Sequence, residues 1–318
     1  MSSLPPLAIQ SQKIIILCRD VGGYLQHLSM FLSRHNEVVF VDVSSSGREW
    51  RWLPGKLRRW WKKYLVVRAA RKKIRLAGKA DALLVVNPSQ LDQGLVNQAK
   101  AAATLTTAFL CDGIARLSMS TAQLATFDKV YTFDAADARD YKLRKLNNYI
   151  YEERADFETS CEYKAFVVMA GKQRVDVLSR IADEFDRLGY SHYKFLVQSK
   201  PVSGLNPRIH FFRERLALEH VAEQVRRSEI LIDIVRPGHT GLSFRFFEAL
   251  LYGKKMVTNN TAVLDYDFYD PRNILIIDSE QVQIPAAFLA GEYVDPAADI
   301  VQKYSMSSWA NEVFSPVS

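Results

Sequence analysis

A chain that alternates short β-rich runs with amphipathic stretches, stops, and then starts the alternation again has few folds open to it. The runs Lys13 to Leu17, Val38 to Asp42, Ala82 to Val86, Thr106 to Leu110 and Lys129 to Phe133 read as strands, with helical periodicity between most of them. After a polar, acidic interval from Tyr149 to Glu162 the pattern resumes. Its second series is Ala165 to Met169, Tyr193 to Val197, Arg208 to Phe212, Ile230 to Ile234, Lys255 to Thr258 and Ile274 to Ile277. Strands that alternate with helices build parallel sheets covered on both faces. The expectation is therefore an α/β chain of two Rossmann-like, doubly wound domains facing a cleft. Residues 1–150 form the first and 151–300 the second. The closing 301–318, helical from Val301 to Phe314, packs back across them. A length of 318 residues accommodates two domains of about 150 each.

Charge is distributed unevenly. The formal net charge is +7, yet the stretch from Arg48 to Lys79 holds 13 Lys or Arg against the single acid Glu49, so the remainder of the chain is net acidic. Such asymmetry points to one basic surface facing an anionic partner, either phospholipid or nucleic acid. Trp50, Trp52, Trp60, Trp61 and Tyr64 lie among these cations. On a helical wheel Leu57, Trp60, Trp61, Tyr64, Leu65 and Val67 fall on one side and Arg58, Arg59, Lys62 and Lys63 on the other. That composition is expected of an interfacial helix on an anionic membrane surface.

No run approaches the ~20 apolar residues of a spanning helix, and the first apolar run, Ile14 to Cys18, is too short for a secretory leader. Cys18, Cys111 and Cys161 are widely spaced and are expected to be small buried hydrophobes in or beside strands. A cytoplasmic protein, held peripherally on the inner face of the cell membrane, is the expectation.

The segment richest in chemistry is Ile230 to Asn260, ILIDIVRPGHTGLSFRFFEALLYGKKMVTNN. A buried strand ends at Asp233. A loop with Arg236, Gly238, His239, Thr240 and Gly241 follows, and a helix starts near Leu242 or Ser243 and stops at Gly253. Glycines let backbone approach a ligand, and amides at a helix start favour a phosphate. Arg236 and Arg245 add charge-assisted bonds to a diphosphate. Glu248, in the second turn, is placed to reach a ribose, whereas Leu242, Phe246, Ala249 and Leu250 form the core face.

This Gly-rich loop, glutamate-bearing helix and GKKMVTNN strand lead-in resemble the donor site of GT-B glycosyltransferases. More narrowly, GLSFRFFEALLYGKKMVTNN with YDFYDPRNILII resembles bacterial enzymes of capsule, lipopolysaccharide or exopolysaccharide synthesis. LCDGIAR (Leu110 to Arg116), DKVYTFDAADARDYKL (Asp128 to Leu143) and AFVVMAGKQRVDVLSRI (Ala165 to Ile181) agree in order, so the likeness runs from about Ala108 to Ile277. The resemblance implies an acceptor held by the first domain and a donor nucleotide held by the second. It implies further that Glu248 binds the donor ribose and that Gly241 to Ser243 present amides to the diphosphate. Thr240 stands where many retaining members carry a second glutamate, so the stereochemical outcome is not inherited.

Smaller signals lie at the carboxyl edges of other strands, where α/β folds bind ligands. Asp20, Gly22 and Gly23 follow the first strand and, with Arg116, are expected on the acceptor side. Asp112 is placed to act as base toward an acceptor hydroxyl, although an aspartate there also serves as a turn or helix cap. Gly171, Lys172 and Arg174 follow the first strand of the second domain and offer positive charge to a diphosphate. Asp265 and Asp267 superficially form a D-x-D, too late in the chain to be expected as a metal site.

These signals lead to transfer of a sugar from a nucleotide-sugar donor to a glycan or lipid-linked glycan acceptor. Positioning and charge stabilisation do the work, with neither cofactor nor metal required. Two alternatives stand: a nucleotide-sugar epimerase of the same fold, and a nucleic-acid-associated binding protein gripping phosphate with its basic aromatic stretch.

Overall fold

The computed structural model describes residues 7–44, 55–117, 119–152, 160–171, 173–236 and 238–316, with backbone alone for 55–60. Trp50, Trp52 and Lys172 therefore lie outside the described residues, as do the side chains of Arg58, Arg59 and Trp60. The chain divides into two compact units, one of residues 3–147 with 306–318, the other of residues 148–305 with the first two.

The first unit carries, in chain order, β1 (Lys13–Cys18), α1 (Tyr24–Leu32), β2 (Glu37–Asp42), α2 (Gly55–Ala77), β3 (Ala80–Val86), α3 (Gln93–Ala102) and β4 (Ala103–Leu110). The short helices α4 (Ile114–Leu117) and α5 (Thr121–Leu124) follow, then β5 (Lys129–Thr132), α6 (Ala135–Asp140) and β6 (Arg144–Lys145). All pairs are parallel, in the order β2-β1-β3-β4-β5-β6. Ile14 to Cys18 are buried without a break, which is how a strand covered on both faces reads. Ala70 and Ile74 of α2 join Leu95, Val96 and Ala99 of α3 against Ile15, Leu17, Leu83 and Val85. The two-residue β6 was not legible in the sequence, because Arg144 and Lys145 are exposed and polar.

Asp128 closes this sheet. Its carboxylate accepts from the Thr106 hydroxyl and the Thr106 amide, each at 2.7 Å. The Thr106 hydroxyl, with the amide and Lys100 adding to it against partial burial, holds the Asp128 carboxyl below the usual carboxylate range. A group so depressed stabilises the fold above the ordinary carboxylate pKa and loses that contribution as pH falls through its own. Asp128→Ala is expected to cost about 1 kcal/mol near neutrality, the carboxylate being exposed. Urea melts of the variant and the native chain should converge as pH drops below about 4; a gap that persists in acid contradicts the assignment.

The second unit contains β7 (Tyr163–Ala170), α7 (Val175–Arg187), β8 (Lys194–Gln198), β9 (Ile209–Phe212), α8 (Leu218–Arg226) and β10 (Ser228–Asp233). Then come α9 (Phe244–Tyr252), β11 (Lys255–Thr258), β12 (Ile274–Ile276), α10 (Ala286–Ala290) and α11 (Ala298–Lys303). The sheet order is β12-β11-β10-β7-β8-β9, again parallel throughout. α7 lays Leu178, Ile181, Ala182 and Phe185 on one face of the sheet, while α9 lays Phe246, Phe247 and Leu250 on the other. Lys254 and Lys255, which look like surface charges in the sequence, are buried, their ammonium groups donating to the carbonyls of Arg226 (2.8 Å) and Gly291 (2.9 Å).

The closing helix differs from expectation. It breaks at Tyr304 and Ser305 into α11 and α12 (Met306–Phe314), and α12 belongs to the first unit. There Trp309 meets the Phe109 ring edge-on at 5.2 Å and Tyr131 donates to the Glu312 carboxylate at 2.7 Å. The cysteines differ too: Cys18 is buried, Cys111 half-buried, Cys161 exposed. No helix among the described residues is long and apolar enough to cross a membrane.

Candidate functional site

In an open parallel sheet, ligands settle at the carboxyl ends of the strands where the strand order reverses. In the second unit that point lies between β7 and β10, the strands flanking the reversal. Chemistry-bearing residues converge there. Gly171, with φ of 88°, turns the chain out of β7, a conformation that costs a glycine little. Arg174 then reaches across, donating to the Ala170 carbonyl at 3.0 Å and to the Ile234 carbonyl at 2.5 Å, so it ties the two strand ends together.

Beside it β10 delivers Asp233, half-buried in the cluster. Burial raises its carboxyl, while the Ser243 hydroxyl and the Arg174, Arg245 and Arg236 guanidinium groups act in the opposite sense. Burial also draws Arg174 down, with Arg236 as the next contributor. Arg174, Arg236 and Arg245 stand against two carboxylates, Asp233 and the Glu248 that pairs with Arg245, leaving a local excess of positive charge at a strand edge, which is a setting for an anionic ligand.

The helix α9 begins one residue later than the sequence suggests. Ser243 is its cap: the hydroxyl accepts from the Arg245 amide at 3.2 Å and donates to Asp233 at 2.7 Å. Gly253, at φ 61°, ends it. The preceding loop is pinned from two sides, since Asn260 donates to the Gly241 carbonyl at 3.3 Å and Asn148 to the Leu242 carbonyl at 2.9 Å. Gly238 takes φ of 78°, and the His239 amide closes a turn on the Arg236 carbonyl at 3.1 Å; His239 and Thr240 are half-buried in that loop.

Glu248 requires a correction. Its helical position suggests an open polar group, but the side chain is 0% exposed. One carboxylate oxygen accepts from the Tyr151 hydroxyl at 3.0 Å and the other pairs with Arg245. Arg245 in turn sits over the Phe166 ring, 5.6 Å from its centre. The sequence missed Tyr151, Asn148 and Asp233 because each belongs to an apolar or featureless run and acquires meaning only through its partner on another element. Asn148 to Glu152 form a strap along α9: the Tyr149 ring stands edge-on to Phe244 at 5.3 Å, and Tyr252 donates to Glu152 at 2.7 Å.

In the first unit the reversal lies between β1 and β3. Asp20, expected to face substrate, instead closes the turn into α1, accepting from the amides of Gly23 (2.7 Å) and Gln26 (2.9 Å). Gly23 takes φ of 86°, and a Cβ on Gly22 would meet the Tyr24 ring at 2.4 Å. Asp112 follows β4, as expected of an edge residue; its carboxylate pairs with Arg116 at 3.2 Å and accepts from Gln90 at 3.4 Å. Asn87, left-handed at φ 48°, exchanges bonds with Cys111, accepting from its amide at 2.9 Å and donating to its sulfur at 3.0 Å. Burial pushes the Cys111 thiol up to about 12, so it offers no thiolate at neutral pH. Asp267 of the D-x-D is occupied by Lys303 and by the Tyr304 hydroxyl, both at 2.6 Å.

No family model matches the chain, and no curated protein matches it in sequence. Solved structures do. An α-glucosyltransferase in complex with UDP-glucose and DNA containing an abasic site is 10% identical, with a TM-score of 0.57 over 96% of this chain and 95% of that one. The UDP-forming α,α-trehalose-phosphate synthase from Burkholderia xenovorans is 10% identical, with a TM-score of 0.54 over 95% and 98%. The Candida albicans trehalose-6-phosphate phosphatase N-terminal domain is 10% identical, at 0.50 over 98% and 97%. The fold is GT-B. At such identity the likeness speaks for architecture: two parallel sheets of six strands, each with helices on both faces. It places the β7 and β10 edge in the second Rossmann-like unit of that fold.

Proposed function

We propose that the protein is a glycosyltransferase that takes a sugar from a nucleotide diphosphate donor bound at the β7 and β10 edge. The observation that carries this reading is that Arg174, Arg236 and Arg245 lie close enough to act by charge on half-buried Asp233, which is bound to the Ser243 cap at the start of α9. A departing diphosphate develops negative charge, and fixed cations with helix amides stabilise it without reorganising. In this scheme Arg236 and Arg245 carry the charge stabilisation, with Lys172, next to Gly171 in the sequence, adding to it. The loop from Gly238 to Ser243 approaches the phosphates. Glu248, held by Tyr151, orients Arg245, and any contact it makes to a ribose comes from that buried position. Asp112 serves as base toward an acceptor hydroxyl, its carboxylate kept in place by Arg116 and Gln90.

The acceptor is proposed to be a growing cell-surface glycan of the capsule, lipopolysaccharide or exopolysaccharide kind, on the sequence resemblance around Gly241 to Asn260. UDP-glucose is the first donor to offer, since the α-glucosyltransferase that this chain is similar to in fold is in complex with UDP-glucose. Incubation of the purified protein with a panel of radiolabelled nucleotide sugars and a bacterial membrane extract is expected to move label into lipid or polymer. A new free sugar nucleotide would establish an epimerase instead, and label retained in every donor would sink the reading.

A further inference from the structure

The long basic helix α2 is not absorbed by the donor site. Its described half has a well-defined inner side, Ala70 and Ile74, buried against the sheet. Trp61, Tyr64, Arg68, Lys72 and Arg75 follow at steps of three and four and share the opposite, outward face. Trp61 is 39% and Tyr64 45% exposed, and the two rings pack edge-on at 5.7 Å. The sequence wheel set aromatics against cations; the structure puts these aromatics on the same face as Arg68, Lys72 and Arg75, one, two and three turns beyond Tyr64. Arg68, Lys72 and Arg75 have no ion-pair partner among the described residues, whereas Arg71 is spent on Asp92, the cap of α3, at 3.0 Å.

Beside this face runs a groove of about 1090 Å³ along α2, bounded by Asp92 and Gln98. Arg68, Lys72 and Arg75 line it together with apolar Leu65, Val67 and Ala69. Cations alone suit any phosphate. An apolar floor beneath them, with an indole and a phenol ring at one end, suits a ligand whose phosphate adjoins carbon. A nucleic-acid duplex, its bases stacked inside, presents mainly phosphate and sugar to such a floor. We propose that this face of α2 docks the protein on a bilayer of anionic phospholipid, the groove seating lipid phosphate against Arg68, Lys72 and Arg75 while Trp61 and Tyr64 enter the headgroup layer. The docking stands independently of the sugar-transfer reading, because no residue of the β7 and β10 edge takes part.

The test is cosedimentation of the full chain with vesicles. Binding to phosphatidylcholine vesicles containing about a third phosphatidylglycerol is expected, with little binding to phosphatidylcholine alone. It should weaken as salt rises, since screening acts within about 10 Å at 0.1 M. The triple variant R68Q/K72Q/R75Q is expected to bind about 100-fold more weakly, one increment per lost cation. The charge-keeping R68K/K72R/R75K should retain binding, which separates lost charge from a damaged helix. W61A/Y64A should lower binding on acidic vesicles without changing its salt dependence. Equal binding to neutral vesicles, undiminished binding of the triple glutamine variant, or release from acidic vesicles by a short DNA duplex at equal phosphate would each overturn the proposal, the last in favour of nucleic acid.

Discussion

Glu248→Ala is expected to destabilise the second unit by about 3–5 kcal/mol, the range for breaking a buried ion pair by removing one partner. Glu248 has no exposed surface, and its removal strands two groups at once. The Arg245 guanidinium loses its counter-charge in a site where its side chain is 10% exposed, and the Tyr151 hydroxyl loses its acceptor. The volume vacated in this buried site adds a packing loss. The paired replacement Arg245→Met with Glu248→Leu removes both charges and should recover much of the loss, because apolar residues of similar volume tolerate such a site. Chemical denaturation read by circular dichroism gives the comparison. A single variant as stable as the native chain would mean that Glu248 faces solvent, as its helical position alone suggests.

The same residue shows how far the sequence can be read. Both sheets were legible except for β6, because their other strands read as short, largely apolar runs set apart by polar or helix-period stretches. KIIILC and SEILID carry that signal without help from the rest of the chain. The stop of α9 at Gly253 was equally local, as it depends on a backbone conformation that glycine favours, whereas the start was read one residue early, at the position of the Ser243 cap. What stayed hidden is pairwise. Nothing near Tyr151 announces Glu248, and nothing near Asn148 announces the Leu242 carbonyl, since the partners lie 97 and 94 positions apart. Asp20 illustrates the converse case. An aspartate before two glycines at a strand end reads as a ligand group, and the same spacing also lets it satisfy the amides that open α1, a local role the sequence reading did not assign. On α2 the wheel drawn from Leu57 to Val67 was too short. The face is set by Ala70 and Ile74, which lie beyond it and bind the helix to the core.

These pairings also decide which arginine tests the proposed chemistry. Arg245 is a poor choice, because Arg245→Ala would leave Glu248 charged and buried, so lost stability and lost catalysis would be confounded. Arg174 is bound to two carbonyls and secures the strand ends, which makes its loss structural as well. Arg236 is half-buried in the loop after β10 and acts on both Asp233 and Arg174 through charge. Arg236→Ala is therefore expected to keep the fold, with a melting temperature close to native. Its effect on transfer should be much larger than its effect on donor affinity. Charge on the diphosphate grows as the sugar departs, and a group complementary to the growing charge contributes more to the transition state than to the bound donor. Turnover should fall on the order of 100-fold, as on loss of one preorganised donor to a developing oxyanion. Donor binding should fall about tenfold, one charge-assisted hydrogen bond. Arg236→Lys should restore part of the turnover, since it returns the charge without the forked geometry. Isothermal titration with the donor found by the labelling assay, set beside single-turnover rates, separates the two quantities. Weaker donor binding with unchanged turnover would reduce Arg236 to a ground-state contact, and native values of both would remove it from the site.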